Sequence, residues 1–234
     1  MKRHLKRLAV PKSWNIKRKK TTFVTRPKSS GHKKGLSTSL NMFMKEMAGI
    51  AKTTKEVKTI IQNQKVLVDG RQIKDHRFAV GFLDTIEVGN TDNIFRIILD
   101  NKGKLAYTVI DAKEAQKKIC RIINKTMMKG KKIQLNLNDG KNYIIDDKTK
   151  YKVGDSLVID LKNKKITEHL AFDNNMTVFL TEGNNKGTLG KITEIKENII
   201  TVKTNAGKEY KTRKNKGFIV GKTQPAVNIG VKND

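Results

Sequence analysis

Thirteen Lys and Arg residues fall between Lys2 and Lys34, and no Asp or Glu appears before Glu46. Cationic groups at that density repel one another and need a polyanion, and the dense polyanion of a cell is nucleic acid. The whole chain repeats the bias, with 50 basic residues against 22 acidic ones and a net charge of +28 over 234 residues. Of the 50, 41 are Lys and 9 are Arg. Lys is a flexible point charge, so the balance suits backbone phosphates better than the reading of base edges. Catalytic chemistry is thinly represented. His4, His32, His76 and His169 are scattered without metal-ligand spacing. The single Cys120 excludes a disulfide framework within the chain and a cysteine-only zinc site. No Ser-His-Asp set, paired carboxylates or metal cluster emerges. The expectation is a non-enzyme without cofactor, metal or small-molecule substrate. No apolar run is long enough to span a membrane, and the N-terminus lacks the apolar core of a secretory signal, so a cytoplasmic protein is expected.

The elements that must position these cations read as an α+β, multidomain chain in four segments. Residues 1–36 form a basic arm with Pro11, Pro27, Ser29, Ser30, Gly31 and Gly35 and no hydrophobic period. It is expected to be disordered alone and ordered by its partner, so that its removal leaves the β domains folded. Trp14, the one Trp, lies between Lys12 and Lys17. Its indole either stacks on an exposed base or plugs a hydrophobic pocket on a neighbouring protein or on this chain's own body.

Residues 37–90 change pattern. Leu40, Phe43, Met44, Met47, Ala48 and Ala51 follow the helical period, with Ser37 as the expected cap and Gly49 near the end. Thr53 and Glu56 read as a capping box, and Val57, Ile60 and Ile61 as a second short helix. Lys65-Val66-Leu67-Val68-Asp69-Gly70 reads as a strand into a turn, and Phe82, Thr85, Ile86 and Val88 as a closing strand. Residues 91–175 read as mostly β, with strands at 95–99, 105–110, 133–137, 143–145 and 157–160 and hairpin turns at Asn101-Lys102-Gly103-Lys104 and Asn138-Asp139-Gly140-Lys141. One helix is expected between them, from Asp111 through Ala115 and Ile119 to about Ile122. Residues 176–234 hold a small β barrel and a short tail. Its strands are Val178-Phe179-Leu180, 199–203 and 209–212, with Gly183, Gly187 and Gly190 flanking a strand entry. Glycines allow positive φ and close backbone approach to a phosphate; the same pattern also suits a glycine-rich hairpin with no RNA role.

Three resemblances follow from these residues. The two-helix run of residues 40–64 followed by Val66-Leu67-Val68-Asp69-Gly70 resembles the small S4-like RNA-binding module of the bacterial ribosomal protein four, many pseudouridine synthases and tyrosyl-tRNA synthetases. The block from Thr181 to Ile192 resembles the KOW motif of ribosomal proteins and transcription elongation factors, an SH3-like barrel element. The whole chain resembles the archaeal and eukaryotic small-subunit ribosomal protein family called four-e, the S4e type. That likeness runs from His4-Leu5-Lys6-Arg7-Leu8-Ala9-Val10-Pro11-Lys12-Ser13-Trp14, through Arg26-Pro27, Gly31-His32-Lys33 and the stretch of residues 79–86. It continues through residues 95–100, Lys102-Gly103-Lys104 and residues 153–157 to Gly217-Phe218-Ile219-Val220-Gly221. The chain stops soon after Gly221, whereas eukaryotic members carry a longer basic tail, which favours an archaeal member.

The resemblance implies a structural constituent of the small ribosomal subunit. Its implied partners are small-subunit ribosomal RNA and neighbouring ribosomal proteins, with neither membrane nor small-molecule substrate. Candidate RNA contacts in the arm are Arg3, His4, Lys6, Arg7, Lys12, Trp14, Lys17, Arg18, Lys19, Lys20, Arg26, Lys28, His32, Lys33 and Lys34. In the helical module they are Lys45, Lys52, Lys55, Lys58, Lys65 and Arg71, and in the glycine block Lys186 and Lys191, with Gly183, Gly187 and Gly190 structural. Any one of the helical-module lysines taken alone reads more readily as part of a solvated helix face. Two other readings stand beside this one. A pseudouridine-synthase-like RNA-modifying enzyme needs a catalytic Asp in a cleft; Asp84, Asp100, Asp155 and Asp173 are available, none in the Gly-Arg-Leu-Asp type of setting those enzymes use. A KOW-type transcription factor accounts for the glycine block alone.

Overall fold

Short extended runs punctuated by turn glycines give an almost wholly antiparallel β architecture. A computed structural model describes residues 4–63, 65–89, 93–146, 151–204 and 207–230. Two compact units divide the chain: Met1–Asp100 with Lys104–Gln116, and Asn101–Gly103 with Lys117–Asp234. Among the described residues no helix is long and apolar enough to cross a membrane.

In the first unit the arm is folded, which corrects the expectation of disorder. Strands β1 (Leu5–Lys6) and β2 (Phe23–Val24) pair antiparallel. Val10, Trp14 and Val24 are buried. The Trp14 indole Nε1 donates to the Ser37 carbonyl at 2.8 Å, so of its readings the pocket in the chain's own body is the one realised. The arm also closes backbone bonds with the rest of the unit: Leu105 N donates to Ser13 O at 2.7 Å and Lys28 N to Arg77 O at 2.8 Å. Such bonds satisfy main-chain groups that a disordered arm would leave to water. The arm lacks a period because each buried residue is set by a different neighbour rather than by one repeating face.

Strand β3 (Ser37–Ser39) pairs with β6 (Ala79–Gly81). This keeps the chain extended two residues past the expected cap, so Ser39 rather than Ser37 caps α1 (Leu40–Met42), its Oγ accepting from Met42 N. The expected helix to Ala51 instead runs into a single π turn, Phe43–Met47, closed by Ala48 N donating to Phe43 O at 2.8 Å. Gly49, at φ 68°, turns the chain out. Helix α2 (Thr54–Asn63) begins where expected. The Glu56 amide donates to Thr53 Oγ1, and the Glu56 carboxylate accepts from Thr53 Oγ1 and from the Lys52 amide.

Strand β4 (Val66–Val68) turns into β5 (Arg71–Gln72) through Asp69 and Gly70, at φ 50° and 72°, the pair of positive values a two-residue hairpin turn requires. Strands β7 (Thr85–Val88), β8 (Ile94–Leu99) and β9 (Leu105–Ile110) complete a five-stranded sheet in the order β5-β4-β7-β8-β9. The boundary expected between residues 90 and 91 therefore falls inside a sheet, because β7 hydrogen-bonds to β8 with Thr85 opposite Arg96. Arg96 is fully buried; helix α3 (Ala112–Ala115) supplies it with Glu114 Oε1 at 2.8 Å and Glu114 O at 2.9 Å. Burial lowers the Arg96 pKa, and Glu114 opposes that shift without cancelling it.

The helix expected from Asp111 to Ile122 ends at Ala115. From Lys117 the chain is β10 (Lys117–Met127), the centre of a second sheet ordered β12-β11-β10-β13-β14, with β11 (Ile133–Leu137), β12 (Asn142–Ile145), β13 (Ser156–Asp160) and β14 (Lys165–Leu170). Lys118, Ile119, Cys120 and Ile122 are all buried. A strand covered on both faces loses the alternation that would have revealed it. Strand β14 was not expected at all. The third sheet, β18-β17-β16-β15-β19, has β15 (Thr177–Leu180), β16 (Leu189–Lys196), β17 (Ile199–Thr204), β18 (Glu209–Arg213) and β19 (Gly217–Gly221). Strand β19 lies against β10, β13 and β14 within this unit, and Arg121 Nη1 bonds Asn215 O at 2.6 Å and Gly217 O at 3.0 Å.

Two outcomes test this packing. Truncating Trp14 to Ala empties a buried indole site and is expected to cost about 3–5 kcal/mol, read as faster hydrogen exchange at the Ile97 and Leu105 amides. Unchanged protection there would mean that the arm only lies on the surface. In the second unit Lys118 Nζ meets Asp139 Oδ2 at 3.1 Å with both side chains 1% exposed. Asp139→Asn removes the carboxylate from beside a buried ammonium and is expected to cost about 3–5 kcal/mol in thermal unfolding.

Candidate nucleic-acid interface

The candidate RNA contacts separate into anchors and surface cations. Arg7 is an anchor. Its guanidinium meets Glu46 Oε1 at 3.1 Å, with side chains 4% and 7% exposed, and donates to Lys17 O at 2.7 Å and Thr21 O at 2.9 Å. Every edge of the fork is used inside the unit, so Arg7 is withdrawn as an RNA contact. Trp14 is withdrawn with it for the reason given above. His32 is the third: its Nε2 lies 3.0 Å from Asp84 with both side chains nearly buried. The imidazole sits where a side chain on Gly81 would go, since an added Cβ there would come within 2.4 Å of the ring. Asp84, considered above as a catalytic candidate, is thereby held between His32 and the Gly81 amide at 2.7 Å.

The remaining arm cations lie outward. His4, Lys6, Lys12, Lys17, Lys19, Lys20, Lys28, Lys33 and Lys34 are exposed, while Arg18 and Arg26 are half-buried. Arg3 lies outside the described residues. Arg18 Nη1 donates to Leu8 O at 3.2 Å, which bends the arm back on itself. Lys20 stands 3.8 Å from Glu46, a second cation on the same carboxylate. Lys28 pairs with Asp75. Partial burial works against the Asp75 carboxylate, but the Lys28 ammonium and the Arg77 amide outweigh it and hold its pKa below the usual carboxylate range. His76 beside it is depressed by burial, with Asp75 opposing and Lys58, Arg77 and Lys28 reinforcing.

On α2 the apolar stripe Val57 and Ile61 faces inward and Lys55 and Lys58 face solvent, joined by Lys52 just before the helix. Lys65, ahead of β4, and Arg71 on β5 are exposed, whereas Lys45 is half-buried with its Nζ 3.5 Å from Thr54 Oγ1. Long Lys side chains on such a face hold the charge in water while their stems cover apolar surface.

In the glycine block, Gly183 and Gly187 adopt φ of 98° and 88° and shape the turn between β15 and β16, where Leu180 N donates to Thr188 O at 2.9 Å. Gly190 has another reason to be glycine: it lies in β16 against β17, where a Cβ would meet Lys203 O at 2.6 Å. Lys186 is half-buried and Lys191 exposed. Sequence reasoning had no signal for the amide-bearing face of β10, β11 and β12, where Asn124, Gln134, Asn136 and Asn142 share one side of the sheet. Among the described residues no group of three or more His, Cys, Asp and Glu could hold a metal ion.

Two family models match this chain, one described as ribosomal family S4e over residues 91–166 and one described as the RS4NT (NUC023) domain over residues 1–35. The small ribosomal subunit protein eS4 of Methanococcus aeolicus is 37% identical over 240 residues, covering 97% of this chain and 98% of that protein. That of Methanocella arvoryzae is 36% identical, covering 98% of each. The crystal structure of the 30S ribosomal protein S4e from Thermoplasma acidophilum is similar with a TM-score of 0.67 at 27% identity, over 80% of this chain and 96% of that one. With a basic arm built into the fold, an antiparallel β body and identity of this level along nearly its whole length, the chain belongs to the ribosomal S4e family, of the archaeal type.

Proposed function

We propose that this chain is a structural constituent of the small ribosomal subunit that holds folded small-subunit ribosomal RNA through phosphate contacts, beside neighbouring ribosomal proteins in the cytoplasmic ribosome. The observation that carries the reading is the near end-to-end likeness to proteins named small ribosomal subunit protein eS4. The geometry supports it physically. Interior residues Arg7, Trp14 and His32 fasten the arm, and Lys6, Lys12, Lys17, Lys19 and Lys34 project from it as cations at set positions. A fixed array of charges loses less conformational entropy on meeting a phosphate backbone than a flexible one does. In the same reading the α2 lysines with Lys65 and Arg71 serve as an S4-like RNA surface, and the turn carrying Lys186, with Lys191, serves as a KOW-type contact. Proteins of this kind act by neutralising phosphates that would otherwise repel, so no turnover is required of them.

The test is whether the chain travels with small subunits in sucrose-gradient sedimentation at physiological ionic strength; a chain persistently at the top of the gradient would sink the assignment. The mode of RNA binding has its own measurement. Replacing Lys52, Lys55 and Lys58 with Gln is expected to leave thermal stability unchanged. It should make the plot of log affinity against log salt shallower by roughly 0.7–0.9 for each phosphate that is no longer neutralised. An unaltered slope would assign those lysines to solvent alone.

A further inference from the structure

We propose that the outer face of β10, β11 and β12 is a second RNA-binding surface of different chemistry, one that lies flat on the shallow minor groove of an A-form RNA helix and bonds its 2′-hydroxyls and base edges. The proposal rests on the RNA-binding reading above and adds to it a surface that works without charge. In a chain of net charge +28, the described strand residues of this face carry none, and a Lys132–Asp146 ion pair at 3.6 Å borders it. Register sets Asn124 opposite Asn136 and Asn136 opposite Asn142, and beside that row Thr126 opposite Gln134 and Gln134 opposite Ile144. Asn124, Thr126, Asn142 and Ile144 are exposed and Gln134 and Asn136 half-exposed.

The placement has a structural device behind it. Ile122 faces the core opposite Leu137, and the register then slips so that Asn124 pairs with Asn136. Without that bulge at Ile123, strand alternation would turn Asn124 and Thr126 into the apolar side and Lys125 and Met127 outward. The bulge thus brings two polar side chains of β10 onto the face that β11 and β12 already make polar. Strand spacing makes the three-Asn row about 10 Å wide, with the second row about 7 Å away. Gln134 Nε2 donates to Asn136 Oδ1 at 2.9 Å and Lys125 N to Asn124 Oδ1 at 2.8 Å. Each bond fixes the orientation of an amide on this face. The other half of the same sheet side is covered by β19, so the amides occupy the uncovered half.

The chemistry selects the occupant. Amides both donate and accept, as 2′-hydroxyls do, and the wide, shallow minor groove of A-form RNA displays a row of them. Among the described residues no aromatic ring lies on this face, Tyr143 being on the opposite side with Leu135, which removes the stacking platform that unpaired bases require. Exposed Lys129 at the β10–β11 turn stands at one end of the patch, where a groove would be bordered by phosphate, while neighbouring Lys132 is paired with Asp146 at 3.6 Å.

The experiment measures binding of the full-length chain to a short RNA duplex and to the DNA duplex of the same sequence by fluorescence anisotropy at one salt concentration. Wild type is expected to prefer RNA. The variant Asn124→Ala/Gln134→Ala/Asn136→Ala is expected to lose RNA affinity roughly tenfold, as the loss of two or three neutral hydrogen bonds gives, while its DNA affinity and salt slope stay unchanged. The isosteric Asn124→Asp/Asn136→Asp variant, which keeps side-chain volume, is expected to lose RNA binding more than DNA binding. Equal losses on both duplexes, or an intact RNA preference in both variants, would overturn the proposal. Wild type that binds neither duplex nor small-subunit RNA would instead overturn the RNA-binding reading itself.

Discussion

The ion pair between Arg7 and Glu46 decides whether the most cationic part of this chain is a tail or a part of the fold. Thirteen like charges in 33 residues cannot condense unaided. One guanidinium placed inside, with its fork satisfied by Glu46, Thr21 O and Lys17 O, fixes the loop between β1 and β2 at its most crowded point. Removing water from both partners is costly, and the geometry offsets that cost only because the remaining donors also find acceptors. Trp14 then adds a large apolar area and one indole bond, so the arm is held by burial as well as by charge. The cations left outside are held on a frame rather than on a coil.

Carboxylates are scarce here, and the buried ones serve the fold. Glu46 and Asp84 hold the arm through Arg7 and His32. Asp139 pairs with the Lys118 buried in β10, Asp155 bonds His169 at 2.7 Å, and the partly exposed Glu114 pairs with the Arg96 buried in β8. An acid paired internally does not oppose an incoming phosphate, so the same placements that stabilise the fold leave the surface potential strongly positive. The surface is also graded: lysines dominate the arm and α2, whereas the outer face of β10, β11 and β12 is neutral and amide-rich, suited to contact at closer range.

Local chemistry was legible wherever one or two residues decide a backbone shape. The Thr53–Glu56 capping box, the Asp69-Gly70 turn and the strands ending in Leu99, Ile110 and Leu137 all stand where residue type alone puts them. The same reasoning failed where a partner outside the segment decides. Ser37 has the same capping chemistry as Ser39, but pairing with Gly81 keeps it extended. Lys117–Met127 has enough spaced apolar residues to pass for a helix, but its neighbours β11 and β13 claim its backbone bonds. Among the candidate contacts, Lys6 and Arg7 are indistinguishable in sequence; one is exposed and the other buried because only one faces Glu46, thirty-nine residues on.

By itself, then, the order of residues determined charge, the class of partner and the family likeness, since these depend on composition and on motifs a few residues long. Which cations remain at the surface, where one domain gives way to the next and which side of β10 carries its amides depended on tertiary structure. Each of these follows from register and burial, and both arise only when segments distant in the chain compete for the same backbone hydrogen bonds and the same interior.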